Sequence, residues 1–309
     1  MKFVHLADLH LGKNLHAKNL YEDQRFVLQQ VLDVVKLQGP DAVLIAGDVY
    51  NSTQTSSESM GLLDWFLTEL INMDVVIYAV SGNHDSAEHL SFGSELFKNA
   101  GYYLSKPFHG KVESFSRQDK YGKVNFYLLP YVTKSQVKRA YPEEKEPKTM
   151  DEAMKLVIKH MDVKRSSRNI LLAHQFVTGA QKGDSETISI GGLDGISPDT
   201  FGKFDYVALG HIHRAQKIAD KIRYPGTLLK YSFNEEENKK EEEKWGMSIY
   251  KIDEVEIIAK TGTAEKMNGG EYDKDEYVNS VMLAFPAEKP KYMIYYAYVS
   301  PETVYYNYD

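Results

Sequence analysis

Five short apolar runs in this chain each lead into residues of the types that can hold metal ions. Asp8-Leu9-His10 follows Phe3-Val4-His5-Leu6-Ala7, Gly47-Asp48 follows Val43-Leu44-Ile45-Ala46, and Gly82-Asn83-His84-Asp85 comes just after Val75–Val80. His174 closes Ile170–Ala173, and Gly210-His211-Ile212-His213 follows Tyr206-Val207-Ala208-Leu209. Short apolar runs bounded by turn signals read as buried strands, and open α/β sheets bind ligands at the carboxyl ends of their strands. Oxygen and imidazole donors delivered by successive strand ends suit a pair of hard-to-borderline divalent cations. Taken singly, each residue has an ordinary structural explanation. Asp8 can cap a turn, Asn83 can sit in one, and His174 can be a core histidine with its hydrogen bonds met. Recurrence at five strand ends is what points to a metal centre.

The elements that must carry these residues alternate strand and helix through the first half. An apolar periodicity predicts a helix from Glu22 through Leu37, with Phe26, Val27, Val31, Val34 and Val35 on its apolar side, stopped by Gly39-Pro40. A second helix is expected from about Glu58 to Met73. Such repetition argues for βαβ units and a largely parallel sheet. Shorter strands follow at Val124–Leu129, Ile170–Ala173, Thr187–Ile190 and Tyr206–Leu209. The proline-bounded loop Pro142–Pro147 and the charge run Asn234–Lys244 read as solvated surface.

Composition narrows the class. With 309 residues, 42% hydrophobic and 26% charged, the chain has an ordinary globular make-up and length enough for a substantial core. It has no cysteine, which excludes disulfides, thiolate zinc sites and cysteine nucleophiles. No apolar run is long enough to span a bilayer, and strand one starting at Lys2 leaves no room for a signal peptide, so no membrane association and a cytoplasmic location are expected. The net charge of −7 argues weakly against a nucleic-acid partner, although cations in an acidic site would offset it locally.

The ordered set Asp-x-His, Gly-Asp, Gly-Asn-His-Asp, His and Gly-His-x-His resembles the calcineurin-like metallophosphoesterases. Leu6–Lys13, Ala46–Tyr50, Gly191–Asp194, Phe204–His211 and Arg223–Phe233 make the chain similar, within them, to nuclease subunits of SbcD type over roughly the first 250 residues. The fold so implied is α/β, a two-sheet sandwich flanked by helices with a di-metal site at strand ends. The resemblance gives one metal Asp8, His10, Asp48 and His213, and the other Asp48, Asn83, His174 and His211, with Asp48 bridging. Without a thiolate, the donors suit two Mn²⁺ ions. His84 is implied to contact the scissile phosphate and act as a general acid. Asp85 either orients His84 or serves a turn. Some relatives carry a second histidine three residues after the bridging aspartate; here that position is Asn51, which cannot transfer a proton at neutral pH.

The activity implied is hydrolysis of DNA phosphodiesters by two-metal-activated water, as a 3′–5′ double-strand exonuclease and single-strand endonuclease. The implied partners are DNA and an SbcC-type ATPase subunit, with a homodimer inside a heterotetramer. The alternatives are a phosphodiesterase for small nucleotides or other phosphoesters, and a scaffold without turnover, which the complete donor set disfavours. The sequence divides into 1–258, the phosphoesterase, and 259–309, a segment unlike the usual capping domain. From Ile257 through Tyr292 the tail resembles the end of a penicillin-binding transpeptidase domain, and tyrosine crowds Tyr292–Tyr308. Ser135-Gln136-Val137-Lys138, Ser81-Gly82-Asn83 and Lys260-Thr261-Gly262 match that class's signature strings, but the chain leaves no room for the helical domain a serine nucleophile needs. Transpeptidase activity is not expected.

Overall fold

The computed structural model describes residues 1–15, 18–181 and 195–231, together with the backbone of strands within 247–299. β1 (Lys2–Leu6) runs into the Asp8 loop. A small ribbon of β2 (Asn14–Leu15) and β3 (Lys18–Asn19) follows, and α1 (Tyr21–Gln38) returns the chain to β4 (Ala42–Ala46). α2 (Ser57–Asn72) leads to β5 (Val76–Val80), and the single-turn helices α3 (Ala87–Leu90) and α4 (Ser94–Phe97) precede β6 (Tyr102–Leu104). The second half holds the hairpin β7 (Glu113–Asp119) and β8 (Gly122–Leu129), the helices α5 (Lys134–Ala140) and α6 (Met150–Lys159), then β9 (Arg168–His174), β10 (Tyr206–Gly210), β11 (Gln216–Ala219) and β12 (Ile222–Tyr224). The expected strand Thr187–Ile190 lies outside the described residues.

Two sheets result. Sheet one has the order β13-β1-β4-β5-β6, where β13 (Met247–Lys251) pairs antiparallel with β1 and the other neighbours are parallel. Sheet two has the order β11-β12-β10-β9-β8-β7, with parallel pairs at its centre and antiparallel pairs at its two edges. A third, antiparallel sheet is formed by β14 (Ile258–Asn268), β15 (Glu271–Phe285) and β16 (Tyr292–Val299).

Both faces of sheets one and two are covered, so their central strands are apolar along their whole length rather than alternating. One face of each meets the other sheet: Phe3, Leu44, Tyr78 and Val80 pack against Phe126, Leu128, Ile170, Leu172 and Tyr206. The rings of Tyr78 and Phe126 stack across this layer at 4.1 Å. Intervening residues face outward. Val4, Leu6, Val43 and Ile45 lie under α1 and α2, while Tyr127, Leu171, Val207 and Leu209 lie under α5 and α6. Each fully buried large side chain contributes about 1.5–3 kcal/mol.

Helix ends follow local chemistry. Gly39, left-handed at φ 52°, closes α1 by donating to the Val35 carbonyl. Ser56 caps α2 by accepting from the Ser59 amide. Along α1 the buried residues are Gln24, Val27, Leu28, Val31, Leu32 and Val35, while Phe26 and Val34 are only half-buried. The buried stripe is thus rotated slightly from the one read in the sequence, and it includes a glutamine. Among the described residues no helix is long and apolar enough to cross a membrane.

Candidate metal centre

Register brings the strand ends together. Ala46 lies opposite Val80 and Gly210 opposite His174. Pairing of the first two loops continues past their strands, with Asp8 donating to the Gly47 carbonyl (3.0 Å) and His10 to the Asp48 carbonyl (2.9 Å). The sheets come close here because Gly210 has no side chain: a β-carbon would collide with the Ala46 carbonyl oxygen. His174 uses that proximity, its Nδ1 donating to the same carbonyl at 2.8 Å.

Among the described residues five that are not glycine have left-handed backbone, and four of them are Asp8 (φ 54°), His10 (44°), Asp48 (48°) and His211 (102°). Such conformations cost on the order of 1–3 kcal/mol each and cluster at functional sites. Here they turn side chains of neighbouring loops toward one point.

The donors converge. Asp8, His10 and His213 each offer an atom within 4.8 Å of the others, and so do Asp8, Asp48 and His174, and His10, Asp48 and His84. The Asn83 carbonyl oxygen lies 3.0 Å from His174 Nε2 and 2.9 Å from His211 Nδ1. Asp48 Oδ2 lies 3.2 Å from His174 Nε2 and 3.8 Å from His10 Nε2, so it stands between the two sides. All seven residues expected to bind metal are therefore gathered at one edge, with His211 reaching the cluster through Asn83.

This donor set fits divalent cations. His10 Nε2 faces His213 Nε2 at 3.1 Å, an arrangement in which only one nitrogen can carry a proton, and the buried Nδ1 of His10 has no hydrogen-bond partner. A cation among His10, His213 and Asp8 would use all three lone pairs at once. The electrostatics agree. Burial pushes the Asp8 carboxyl up to about 7, against the opposing pull of His174 and His213. Burial acts on Asp48 in the same sense, but His174, His10 and His84 overcome it and hold this carboxyl well below its usual range. Burial lowers His174, yet the Asp48 charge raises it more, to about 9. Burial, reinforced by His174, pushes His211 down to about 3. Positive charge placed at this point would favour the ionised form of both Asp8 and Asp48.

His84 stands at the exposed side, its ring edge-on to His10 with centroids 4.9 Å apart. Its backbone amide donates to Asp48 Oδ1 (2.8 Å), and its Nδ1–H donates to the Asn51 carbonyl (2.9 Å). Asp85 is not hydrogen-bonded to the His84 ring. Its carboxylate instead accepts from the backbone amides of Val49, Tyr50 and Gly82 (3.1, 2.8 and 2.8 Å) and ties the Asp48 loop to the Asn83 loop. Three backbone amides leave this buried carboxylate well satisfied. Of the remaining histidines, His5 is buried between the sheets with Nδ1 3.0 Å from the Tyr206 hydroxyl, and His89 and His109 are exposed.

Sequence reasoning missed three contributors: the Asn51 backbone, Gln24 and Tyr231. Only Gln24 left a signal, a polar residue on the apolar stripe of α1.

Comparison with known proteins agrees with this geometry. The family described as calcineurin-like phosphoesterase matches residues 1–215. Residues 227–309 match the penicillin binding protein transpeptidase domain, a match that begins earlier than the tail resemblance read in the sequence. The SbcD subunit of the nuclease SbcCD from Staphylococcus epidermidis is 34% identical over 266 residues, covering 84% of this chain and 68% of that protein. A crystal structure of a dimetal phosphatase from Danio rerio overlaps 72% of this chain and 85% of its own, with 12% identity and a TM-score of 0.39. The matched family and the gathered donors together establish that this chain belongs to the calcineurin-like phosphoesterases and is a metal-binding phosphodiester hydrolase.

Proposed function

We propose that the protein is a DNA nuclease subunit of SbcD type, acting as a 3′–5′ double-strand exonuclease and single-strand endonuclease beside an SbcC-type ATPase subunit. The observation that carries the reading is the convergence of Asp8, His10, Asp48, Asn83, His174, His211 and His213, in a chain 34% identical to a named nuclease subunit. A homodimer within a heterotetramer accompanies this reading. Residues 1–258 act as the phosphoesterase, because β13 completes sheet one just before that boundary, and 259–309 form a separate segment.

Asp8, His10, Asp48 and His213 would hold one cation and Asp48, Asn83, His174 and His211 the other, with manganese suited to this oxygen and nitrogen set. When bound, two such ions lower the pKa of water and neutralise phosphate charge. The chain's own residues do the rest. Asp48 ties the two sides through contacts to His174 and His10. The Asn51 carbonyl holds the Nδ1–H of His84 in either protonation state, which leaves Nε2 to give its proton to the leaving oxygen. Asp85 fixes the loop from which His84 projects.

The experiment is a Mn²⁺-dependent assay comparing linear duplex DNA with bis-p-nitrophenyl phosphate. Cleavage of both supports the nuclease reading. Hydrolysis of the small diester with DNA untouched moves the reading to a small-molecule phosphodiesterase, and no turnover of either refutes both.

A further inference from the structure

Two side chains outside the donor set are built against it. Gln24 lies in the first turn of α1, on the stripe shared by Val27, Leu28, Val31 and Val35, and is 1% exposed. A buried amide persists where hydrogen bonds compensate for its lost water. The partners of Gln24 lie in the loop that carries His10. Its Nε2 donates to the His10 carbonyl (2.8 Å) and less closely to the Leu9 carbonyl (3.4 Å), and its Oε1 accepts from the Gly12 amide (3.1 Å). These bonds grip the loop on both sides of a residue in left-handed backbone, a conformation that persists only where its surroundings fix it.

Tyr231 arrives from far along the chain and meets the same loop. Its hydroxyl donates to the Leu9 carbonyl and lies 3.4 Å from Gln24 Nε2. Its ring stands edge-on to His10, with centroids 5.4 Å apart, and 6.3 Å from the His213 ring. The segment leading to it is anchored as well: the Thr227 amide donates to the His213 carbonyl at 3.1 Å. One tyrosine therefore meets both imidazoles that face each other across the proposed first cation position.

We infer that Gln24 and Tyr231 are positioning residues for the His10–His213 half of the centre, and that residues 227–231, beyond the 1–215 family match, are a working part of it. The inference rests on His10 being a metal ligand. Partners that orient metal ligands are worth about 10- to 100-fold in affinity.

The test uses the full chain and Mn²⁺ alone, by calorimetry, with Tyr231→Phe, Gln24→Met and His10→Ala. Tyr231→Phe should weaken one of two binding steps about 10- to 100-fold and leave the other step and the metal-free unfolding temperature unchanged. In the metal-free protein it should also shift the imidazole nitrogen resonances of His10 and His213 but not those of His174. Gln24→Met should weaken the same step. If that variant fails to fold, Tyr231→Phe decides alone. Native affinity at both steps in Tyr231→Phe overturns the proposal, as does equal weakening of both with a lowered unfolding temperature. His10→Ala separates the failures. Loss of one step there, with Tyr231→Phe unaffected, removes only the positioning role, whereas two native steps in His10→Ala remove the ligand assignment beneath it.

Discussion

The two sheets bring unlike chemistry to the edge where they meet. The loops after β1, β4 and β5 supply the carboxylates of Asp8 and Asp48, the Asn83 amide and the exposed His84, and three of their residues, Asp8, His10 and Asp48, adopt left-handed backbone to do so. Strands β9 and β10 supply imidazoles alone, and His174 does so from the last residue of a regular strand. Carboxylates thus come from one side only, while the other gives imidazoles alone. A cation held between them would join the sheets, and the side that carries the carboxylates should be the more sensitive to substitution.

The largest effect is expected at the residue that touches both sides. Asp48 meets His174, His10 and the His84 amide, so Asp48→Ala should abolish diester hydrolysis and cost the protein a bound metal. Calorimetry finding two tightly bound Mn²⁺ per mutant chain would exclude the bridging role. His84 belongs to the side of the carboxylates by sequence but stands at the exposed edge by position. His84→Ser should keep both metals and lose about 10²- to 10⁴-fold in turnover. Turnover within a few-fold of wild type on either substrate would remove His84 from the mechanism.

The same contrast explains what can be read from the sequence. The central strands are legible because burial on both faces makes them continuous apolar runs, and the donors because their residue types recur immediately after those runs. Polar elements are not. Strand β7 alternates too weakly and is largely exposed, so Glu113–Asp119 gives no strand signal. Helix α6 is an exception, since Met150, Ala153, Met154, Val157 and Ile158 recur at helical spacing behind the Thr149 cap and a helix is legible there. The pairing of β13 with β1 joins residues about 245 positions apart, and nothing local to either strand encodes it. The role of Asp85 is ambiguous in the sequence because only the fold decides whether three backbone amides or one imidazole lies nearest.

Away from the metal edge the sheets are joined by conventional ion pairing. At the opposite end of β1 and β9, Asp119 of sheet two accepts from Arg168 Nη1 (3.0 Å) and from the Met1 ammonium (2.8 Å). Arg168, then the Met1 amine, hold its carboxyl well below the usual range. A carboxyl depressed on folding adds stability above its unfolded pKa of about 4, and that stability is lost as the pH falls through the folded value. Asp119→Asn should therefore cost about 1 kcal/mol at neutral pH and nothing at strongly acid pH. Urea midpoints at neutral pH and at successively lower pH would measure it, and a deficit that does not shrink as the pH falls would show that packing rather than charge is involved. Metal binding should be unchanged, since the change lies at the far end of the sandwich.

The smallest effect is expected from removing the tail. Strand β13 is an edge strand of sheet one and Tyr231 reaches the His10 loop, so both must be kept, and the cut belongs after them. Beyond that point β14, β15 and β16 pair with one another in a sheet of their own, and every proposed ligand lies at or before His213. Ser135 sits in the first turn of α5, below a capping box formed by Thr133 and Gln136, and Ser81 is buried beside the Asp48 loop. Neither placement is that of an acylated serine in a cleft. Ending the chain near Ile258 should leave metal binding and small-diester hydrolysis intact, Lys260→Ala should change neither, and the full chain should not react with labelled penicillin. A truncated protein that folds but loses one metal would tie the tail to the centre. Labelling of Ser135 would make the match over residues 227–309 a functional one and would place the division of the chain elsewhere.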